Sequence, residues 1–296
     1  MSKDLIFVFF GGTMSGTFGA GVSTALQSLN VNERIDSIYA TSAGAHNAAY
    51  LISEETNIGS SIYYENLINN EFLELNKSKL IYKMLASLFT SNNKLKKIIN
   101  IDYLIDIEKN AKKLDTEKIA NSNINFFIRV FNVNERKEQY LDGKSETLIK
   151  LNATTAIVPF YPRQIMINGV RSCNGDTLSV IIDPELEKMI NANPDKKIYF
   201  VFNNKDKERN SFAYLMREFI WTLFLMKYFK STFALRKLKV KSENAKLNKY
   251  LKYPNIKIIE PDFSTSVFCT DKNKLLKAYE NGLEKTMNMF SKNNGD

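Results

Sequence analysis

The chain has 296 residues, of which 44% are hydrophobic, and its formal net charge is +9 at pH 7. Its two cysteines and one histidine are too few for a disulfide framework or a cysteine-based zinc site, and no apolar stretch approaches the ~20 residues of a membrane-spanning helix. No Pro/Gly/Ser-rich linker or fixed repeat divides the sequence, so we expect one domain over residues 1–296.

The first predicted element is a short buried strand and not a leader peptide. The apolar run Leu5–Phe10 is six residues long and follows the acidic Asp4. A secretory signal has a basic start and a longer apolar core. The sequence therefore predicts a cytoplasmic protein, with export by a route that needs no N-terminal signal as the alternative.

Strands and helices alternate in the opening of the chain. Apolar residues between Phe18 and Leu29 recur at helical spacing, and small residues fill the helix after the second strand. The predicted order is the strand Asp4–Phe10, a glycine loop, the helix ending near Leu29, the strand Asp36–Ala40, a tight turn and the helix Gly44–Ile52. This order predicts an α/β fold with a mostly parallel sheet and helices on both faces.

The rest of the chain continues the mixed pattern. Residues 60–110 are expected to be largely helical. Further strands are predicted at Asn125–Asn132, Lys196–Phe202 and Asn255–Glu260, and a last helix at Lys274–Met289.

A basic helical portion is expected at about residues 206–296. Its segment Arg217–Lys241 is rich in aromatic residues and holds seven positive charges against one negative charge, a net +6. Such a segment can lie in an anionic membrane interface. The alternative is a buried helix with a solvated cationic end, and the overall charge then serves solubility alone.

Ser42 stands between a predicted strand and a predicted helix, in the sequence Ala40-Thr41-Ser42-Ala43-Gly44. This is the context of a nucleophile elbow, in which small neighbours permit a sharp turn and the serine hydroxyl projects from the top of the sheet. The turn also places the hydroxyl at a helix N-terminus, which favours developing negative charge. Ser42 is therefore the candidate nucleophile.

The loop after the first strand is the candidate oxyanion hole. Its glycines allow successive backbone N–H groups to point into one concavity. A dinucleotide-binding loop would need glycine in place of Thr13, and a phosphate-binding P-loop would need lysine in place of Thr17. The candidate residues are Gly11, Gly12, Thr13, Met14 and Gly16.

The glycine loop and the elbow serine together resemble the patatin-like phospholipase family. The segment Leu151–Pro162 is similar to the family's segment before its aspartate, and Ile256–Gly282 looks like the tail of a bacterial subgroup. The resemblance implies a three-layer α/β fold, no cofactor or metal, and a Ser–Asp dyad that works without histidine. It also implies a phospholipid or other acyl-ester substrate. Peripheral binding to anionic membrane is an expectation from the basic segment Arg217–Lys241, and no nucleic-acid partner is expected.

The dyad aspartate departs from the family pattern. Alignment on Gly175 places Asn174 at the family's aspartate, and an amide cannot act as a general base. Asp176, two residues later, either turns toward Ser42 or is a surface turn residue. His46 lies one helical turn after Ser42, and we expect a packed or solvent-tipped side chain there rather than a partner for the serine.

Three further positions depart from the pattern: Thr13 replaces a glycine, Ser15 replaces the usual cation, and Ala40 replaces the first elbow glycine. Loss of a general base typically lowers a rate by ~10²–10⁴. Three functions therefore stay open. The first is a lipid acyl hydrolase that acts through an acyl-Ser42 intermediate and is weakened by these changes. The second is a catalytically inactive patatin-shaped module that binds lipid or protein, and the third is a hydrolase of non-lipid esters or a transferase.

Overall fold

One mixed sheet organises the chain. The computed structural model describes residues 3–74, 76, 78–79, 82–83, 98–157, 160–161, 163–177, 181–205 and 247–291, and eight strands lie within them. The strands are β1 Leu5–Phe9, β2 Ile35–Ala40, β3 Asn125–Asn132, β4 Lys137–Asp142, β5 Ile165–Ile167, β6 Val170–Asn174, β7 Lys197–Val201 and β8 Ile256–Ile259. Their spatial order is β5-β6-β3-β2-β1-β7-β8, and β4 pairs with β3.

Helices cover both faces of this sheet. In the described residues they are α1 Thr17–Ser28, α2 Ala43–Ile52, α3 Thr56–Ser61, α4 Ile101–Asp106, α5 Thr116–Asn121, α6 Thr147–Thr155, α7 Pro184–Ala192 and α8 Lys272–Ser291. A 3-10 turn, Thr13–Gly16, precedes α1, and π-helical turns at Ile62–Asn66 and Ile107–Ala111 extend α3 and α4.

The side chains of β1 alternate between the two faces of the sheet, which explains why the fold has a sheet between two layers of helices. Leu5, Phe7 and Phe9 point into the larger core with α1, α2 and α8, whereas the residues between them point into a second core with α7. A strand buried on both faces reads as a continuous apolar run, as this one does. The predicted fold class is confirmed: strands β3, β2, β1, β7 and β8 run parallel, with helices on both faces.

Two strands meet end to end on one edge of β3. Strand β2 runs parallel to β3 and ends with Ala40 opposite Ile128, while β6 runs antiparallel and ends with Asn174 opposite Val130. Because β4 occupies the other edge of β3, β2 and β6 must share this one. The chain segments that leave the two strands therefore meet above the intervening residue of β3, Arg129.

Most elements predicted from the opening and the strands agree with the structure to within two residues, but β4, β5, β6, α5, α6 and α7 were not predicted. The segment Arg217–Lys241 lies outside the described residues, so its role at a membrane stays a prediction. In the described part of the chain, no helix is long and apolar enough to cross a bilayer.

Candidate active site

Ser42 occupies a strained turn between β2 and α2. Its backbone has φ 52° and ψ −132°, a region that non-glycine residues rarely adopt, and its side chain is buried. Gly44 makes the turn sterically feasible, because a Cβ there would lie 2.6 Å from the carbonyl oxygens of both Phe9 and Phe10. The local geometry is that of a nucleophile elbow.

Thr154, in the last turn of α6, ties this elbow to β3. The amide of Ser42 donates to Thr154 Oγ1 over 2.9 Å, and that hydroxyl donates to the carbonyl of Arg129 over 2.5 Å. The serine is thus held above the point where β2 and β6 meet.

Asp176 and Ser42 both lie against Gly11, near the position that a Cβ on this residue would take. A Cβ built on Gly11 would stand 2.9 Å from Ser42 Cβ, 3.5 Å from Ser42 Oγ and 3.0 Å from Asp176 Oδ2. The hydroxyl and the carboxylate therefore approach the same point, which only the absence of a side chain at Gly11 keeps open. The structure brings together Ser42, Asp176 and the first glycine of the loop.

Arg129 holds the other oxygen of the Asp176 carboxylate. Its Nη1 lies 3.2 Å from Asp176 Oδ1, its Nε lies 2.9 Å from Asp183 Oδ2, and its Nη2 lies 3.9 Å from Glu138. Burial opposes the charge of the guanidinium, but the neighbouring Asp183, Tyr140, Asp176 and Glu138 outweigh it and raise the Arg129 pKa. Arg129 is therefore a permanent cation beneath the site.

The side chain of Asn174 belongs to the backbone turn. Its Nδ2 donates to the Thr154 carbonyl over 2.6 Å, and its Oδ1 accepts from the amide of Asp176 over 2.9 Å. Both ends of the amide are engaged in shaping the turn that presents Asp176. An aspartate here would set a carboxylate oxygen against the Thr154 carbonyl.

The glycine loop offers two backbone amides beside the serine. The amide of Met14 donates to Val267, and that of Ser15 donates to Gly12. Within the described part of the chain, no acceptor takes the amide hydrogens of Gly12 and Thr13. Thr13 has φ 50°, in the left-handed region that disfavours β-branched residues, so this position is strained.

Two asparagines after β7 fix the loop from behind, and the sequence analysis did not single them out. Asn203 donates to the carbonyls of Phe10 and Gly11 and accepts from the amide of Gly19. Asn204 donates to the hydroxyl of Ser15, which itself donates to Gly12. The hydroxyl of Ser15 therefore stabilises the loop through two hydrogen bonds, at the position where the patatin-like pattern has a cation.

His46 is engaged at both ring nitrogens. Nδ1 lies 2.5 Å from Glu108 Oε1 and Nε2 lies 2.7 Å from Thr155 Oγ1, so neither nitrogen faces Ser42. The expectation of a packed residue fits this burial, but the carboxylate partner was not foreseen. Among the described residues, no group of three or more His, Cys, Asp or Glu is arranged to hold a metal ion.

A largely apolar cavity lies beside the serine. Its wall on α2 carries Ser42, His46 and Tyr50, which are spaced four residues apart and share one helix face. The facing wall is hydrocarbon, from Ile62, Leu67, Phe72, Ile99, Leu104 and Ile157. An apolar lining of this kind is typical of sites that bind hydrocarbon groups.

A family model and two solved structures match this chain. The model of the family described as Patatin-like phospholipase matches residues 7–169, more than half of the chain. VipD from Legionella pneumophila has a similar structure, with a TM-score of 0.50 and 14% identity over 98% of this chain and 67% of VipD. The type III effector protein ExoU gives a TM-score of 0.28 and 12% identity over 80% of this chain and 54% of ExoU. No curated protein matches the chain. The family match shows that this chain belongs to the patatin-like phospholipase family.

Proposed function

We propose that the chain hydrolyses lipid acyl esters, with Ser42 as nucleophile and Asp176 as general base. The observation that carries the proposal is the approach of Ser42 Oγ and Asp176 Oδ2 to one point beside Gly11. Family membership supports lipid esters as the substrate class, and the apolar cavity next to Ser42 fits a hydrocarbon chain.

In the acylation step, Asp176 Oδ2 takes the proton of Ser42 while Oγ forms a bond to the ester carbonyl carbon. The amides of Gly12 and Thr13 donate to the resulting oxyanion, which also lies near the N-terminus of α2. The carbon–oxygen bond to the alcohol then breaks, and the alcohol leaves with the proton held by Asp176. The product of this step is acyl-Ser42.

In the deacylation step, Asp176 takes a proton from water, and the hydroxide attacks the acyl carbonyl carbon. The bond to Ser42 Oγ breaks, the fatty acid leaves, and the proton returns from Asp176 to Oγ. The same carboxylate therefore serves both steps.

Arg129 is a positioning residue in this account. It binds Oδ1 of Asp176, while Oδ2 lies on the side of Gly11. A cation beside a carboxylate favours its ionised form but weakens it as a base. Asp183 lies nearer to Arg129 than Asp176 does, at 2.9 Å against 3.2 Å. Because the guanidinium also pairs with Asp183, it weakens Asp176 as a base less than a cation paired with Asp176 alone would.

The test is fatty-acid release from a panel of phospholipids, lysophospholipids and a medium-chain p-nitrophenyl ester. Wild type is compared with Ser42→Ala and with Ser23→Ala, a buried serine on α1. We expect release by wild type and Ser23→Ala and none by Ser42→Ala. Equal release by Ser42→Ala, or no release from any substrate by folded wild type, would contradict the proposal.

A further inference from the structure

The cavity beside Ser42 contains a buried polar pair that the proposed reaction does not use. His46 and Glu108 meet at 2.5 Å, with 7% and 0% of their side chains exposed. Both residues line the cavity, in an otherwise mostly apolar wall. A carboxylate in such a place needs partners for both of its oxygens.

Hydrogen bonds engage the rest of this pair. Thr155 Oγ1 lies 2.7 Å from His46 Nε2 and 2.8 Å from the carbonyl oxygen of Leu151, and His46 Nδ1 lies against Glu108 Oε1. A proton between Nδ1 and Oε1 leaves the other carboxyl oxygen of Glu108 as an acceptor.

That oxygen, Glu108 Oε2, is buried and receives no hydrogen bond from any described residue. The phenol of Tyr63, a neighbouring donor, is directed instead to Asn47 and the carbonyl of Ala43. An unpaired buried acceptor is unfavourable, and a donor that enters the cavity would satisfy it.

We propose that the cavity recognises an acyl ester that also carries a hydroxyl group, and that this hydroxyl donates to Glu108 Oε2. The inference rests on the proposed function, since Ser42 marks the place of the scissile carbonyl. Ser42 directly precedes α2, and His46, the partner of Glu108, lies one helical turn later. The apolar residues around the pair hold the hydrocarbon on either side.

The apolar surroundings and the existing partner of Glu108 favour a hydroxyl over an ammonium group as the ligand. A cation would lose its hydration in the apolar cavity and would meet a carboxylate that His46 already engages. A hydroxyl gives up less hydration and supplies the single donor that Oε2 accepts. The hydroxyl can belong to the acyl chain or to the alcohol part of the ester, and the experiment separates these two sources.

The experiment measures ligand affinity by calorimetry in the Ser42→Ala background, which removes turnover. One arm compares a medium-chain fatty acid methyl ester with its chain-hydroxylated analogue. The other arm compares the same methyl ester with the monoacylglycerol of equal chain length. We expect the hydroxylated ligand of at least one arm to bind about 10-fold more tightly or better.

Two variants test whether Glu108 causes the preference. In Glu108→Gln, the amide NH₂ can donate to His46 Nδ1 and leave its oxygen at the position of Oε2, so the preference should persist. In His46→Leu/Glu108→Met, a change of similar volume that buried pairs often tolerate, it should fall below about 2-fold. If the double variant does not fold, Glu108→Met alone serves.

Equal affinity for plain and hydroxylated ligands, absence of binding by all of them, or a preference that survives the loss of Glu108 would overturn the inference. The outcome is independent of turnover. A hydroxyl preference without hydrolysis by wild type would refute only the proposed function, and hydrolysis without the preference would refute only this inference.

Discussion

Asp176 and Ser42 lie against the same side of Gly11, with Asp176 Oδ2 at 3.0 Å and Ser42 Oγ at 3.5 Å from the position of a Cβ on that glycine. The relationship depends on the sheet, because β2 and β6 end opposite Ile128 and Val130 on one edge of β3. A nucleophile and a carboxylate that are 134 positions apart are thereby brought to one place.

Gly11→Ala is expected to lower ester turnover about 100-fold, because the new methyl group would displace Ser42 or Asp176 and small misplacements have effects of this size. The comparison variant is Gly169→Ala, where a Cβ meets no atom within 4 Å. It should keep full activity, with a small loss of stability from its φ of 77°. Turnover of a soluble ester and thermal unfolding are measured for both, and an active Gly11→Ala would contradict the arrangement.

Thr13→Gly is expected to leave the free energy of unfolding unchanged or raise it by up to about 1 kcal/mol. The left-handed conformation costs a non-glycine residue about 1–2 kcal/mol, and glycine at position 13 removes this cost. The stabilisation exceeds the opposing effect of glycine, which raises the conformational entropy of the unfolded chain. Thr24→Gly is the comparison, because it places glycine inside the regular helix α1 and should lose about 1 kcal/mol. Urea denaturation decides the question, and a loss at Thr13 equal to that at Thr24 would show that no strain is stored there.

Arg129→Met is expected to lower the free energy of unfolding by about 3–5 kcal/mol, because Asp183 would be left as a buried, unpaired charge. Adding Asp183→Asn should recover part of this loss, since asparagine keeps the helix cap of α7. The exposed Lys188→Met, on the same helix, should change stability by less than about 1 kcal/mol. Additive losses in the double variant would contradict the buried pair.

Cys173 is expected to resist alkylation in the folded protein. Burial raises the pKa of its thiol to about 12, with a smaller opposite effect from Thr177. The folded state therefore holds this proton more tightly, so its stabilising contribution is full below the unfolded pKa near 9 and is lost as the pH rises from there toward 12. Iodoacetamide at about pH 8.5 should label Cys173 only after denaturation, and rapid labelling of the native protein would contradict the burial.

The opening of the fold could be predicted because its signals are local. The apolar run of β1, the glycine loop and the small residues around Ser42 lie within 50 residues and follow the alternation of an α/β unit. The elbow serine could be singled out for the same reason, since its strand, turn and helix are contiguous in the chain.

The positions of the acidic residues around the site depend on contacts between segments that are far apart in the sequence. The short strand β6, Val170–Asn174, has no clear alternation, so its return along β3 could not be read from the sequence. Glu108 is 62 positions from His46, and no local pattern connects them. Arg129 was not singled out from the sequence, although a lone charge within the apolar strand Asn125–Asn132 has to be paired and is a signal for carboxylates nearby.

The most direct measurement of the Ser42–Asp176 pair is the rate at which a small fluorophosphonate labels Ser42, because it reports activation of the serine without a lipid interface. It is compared in wild type, Asp176→Asn and Asn174→Asp. We predict that Asp176→Asn lowers the rate about 100-fold or more at unchanged unfolding temperature. We also predict that Asn174→Asp lowers it, because the new carboxylate would face the Thr154 carbonyl. Labelling of Asp176→Asn at the wild-type rate, a gain of rate in Asn174→Asp, or no labelling of Ser42 in wild type would contradict the account.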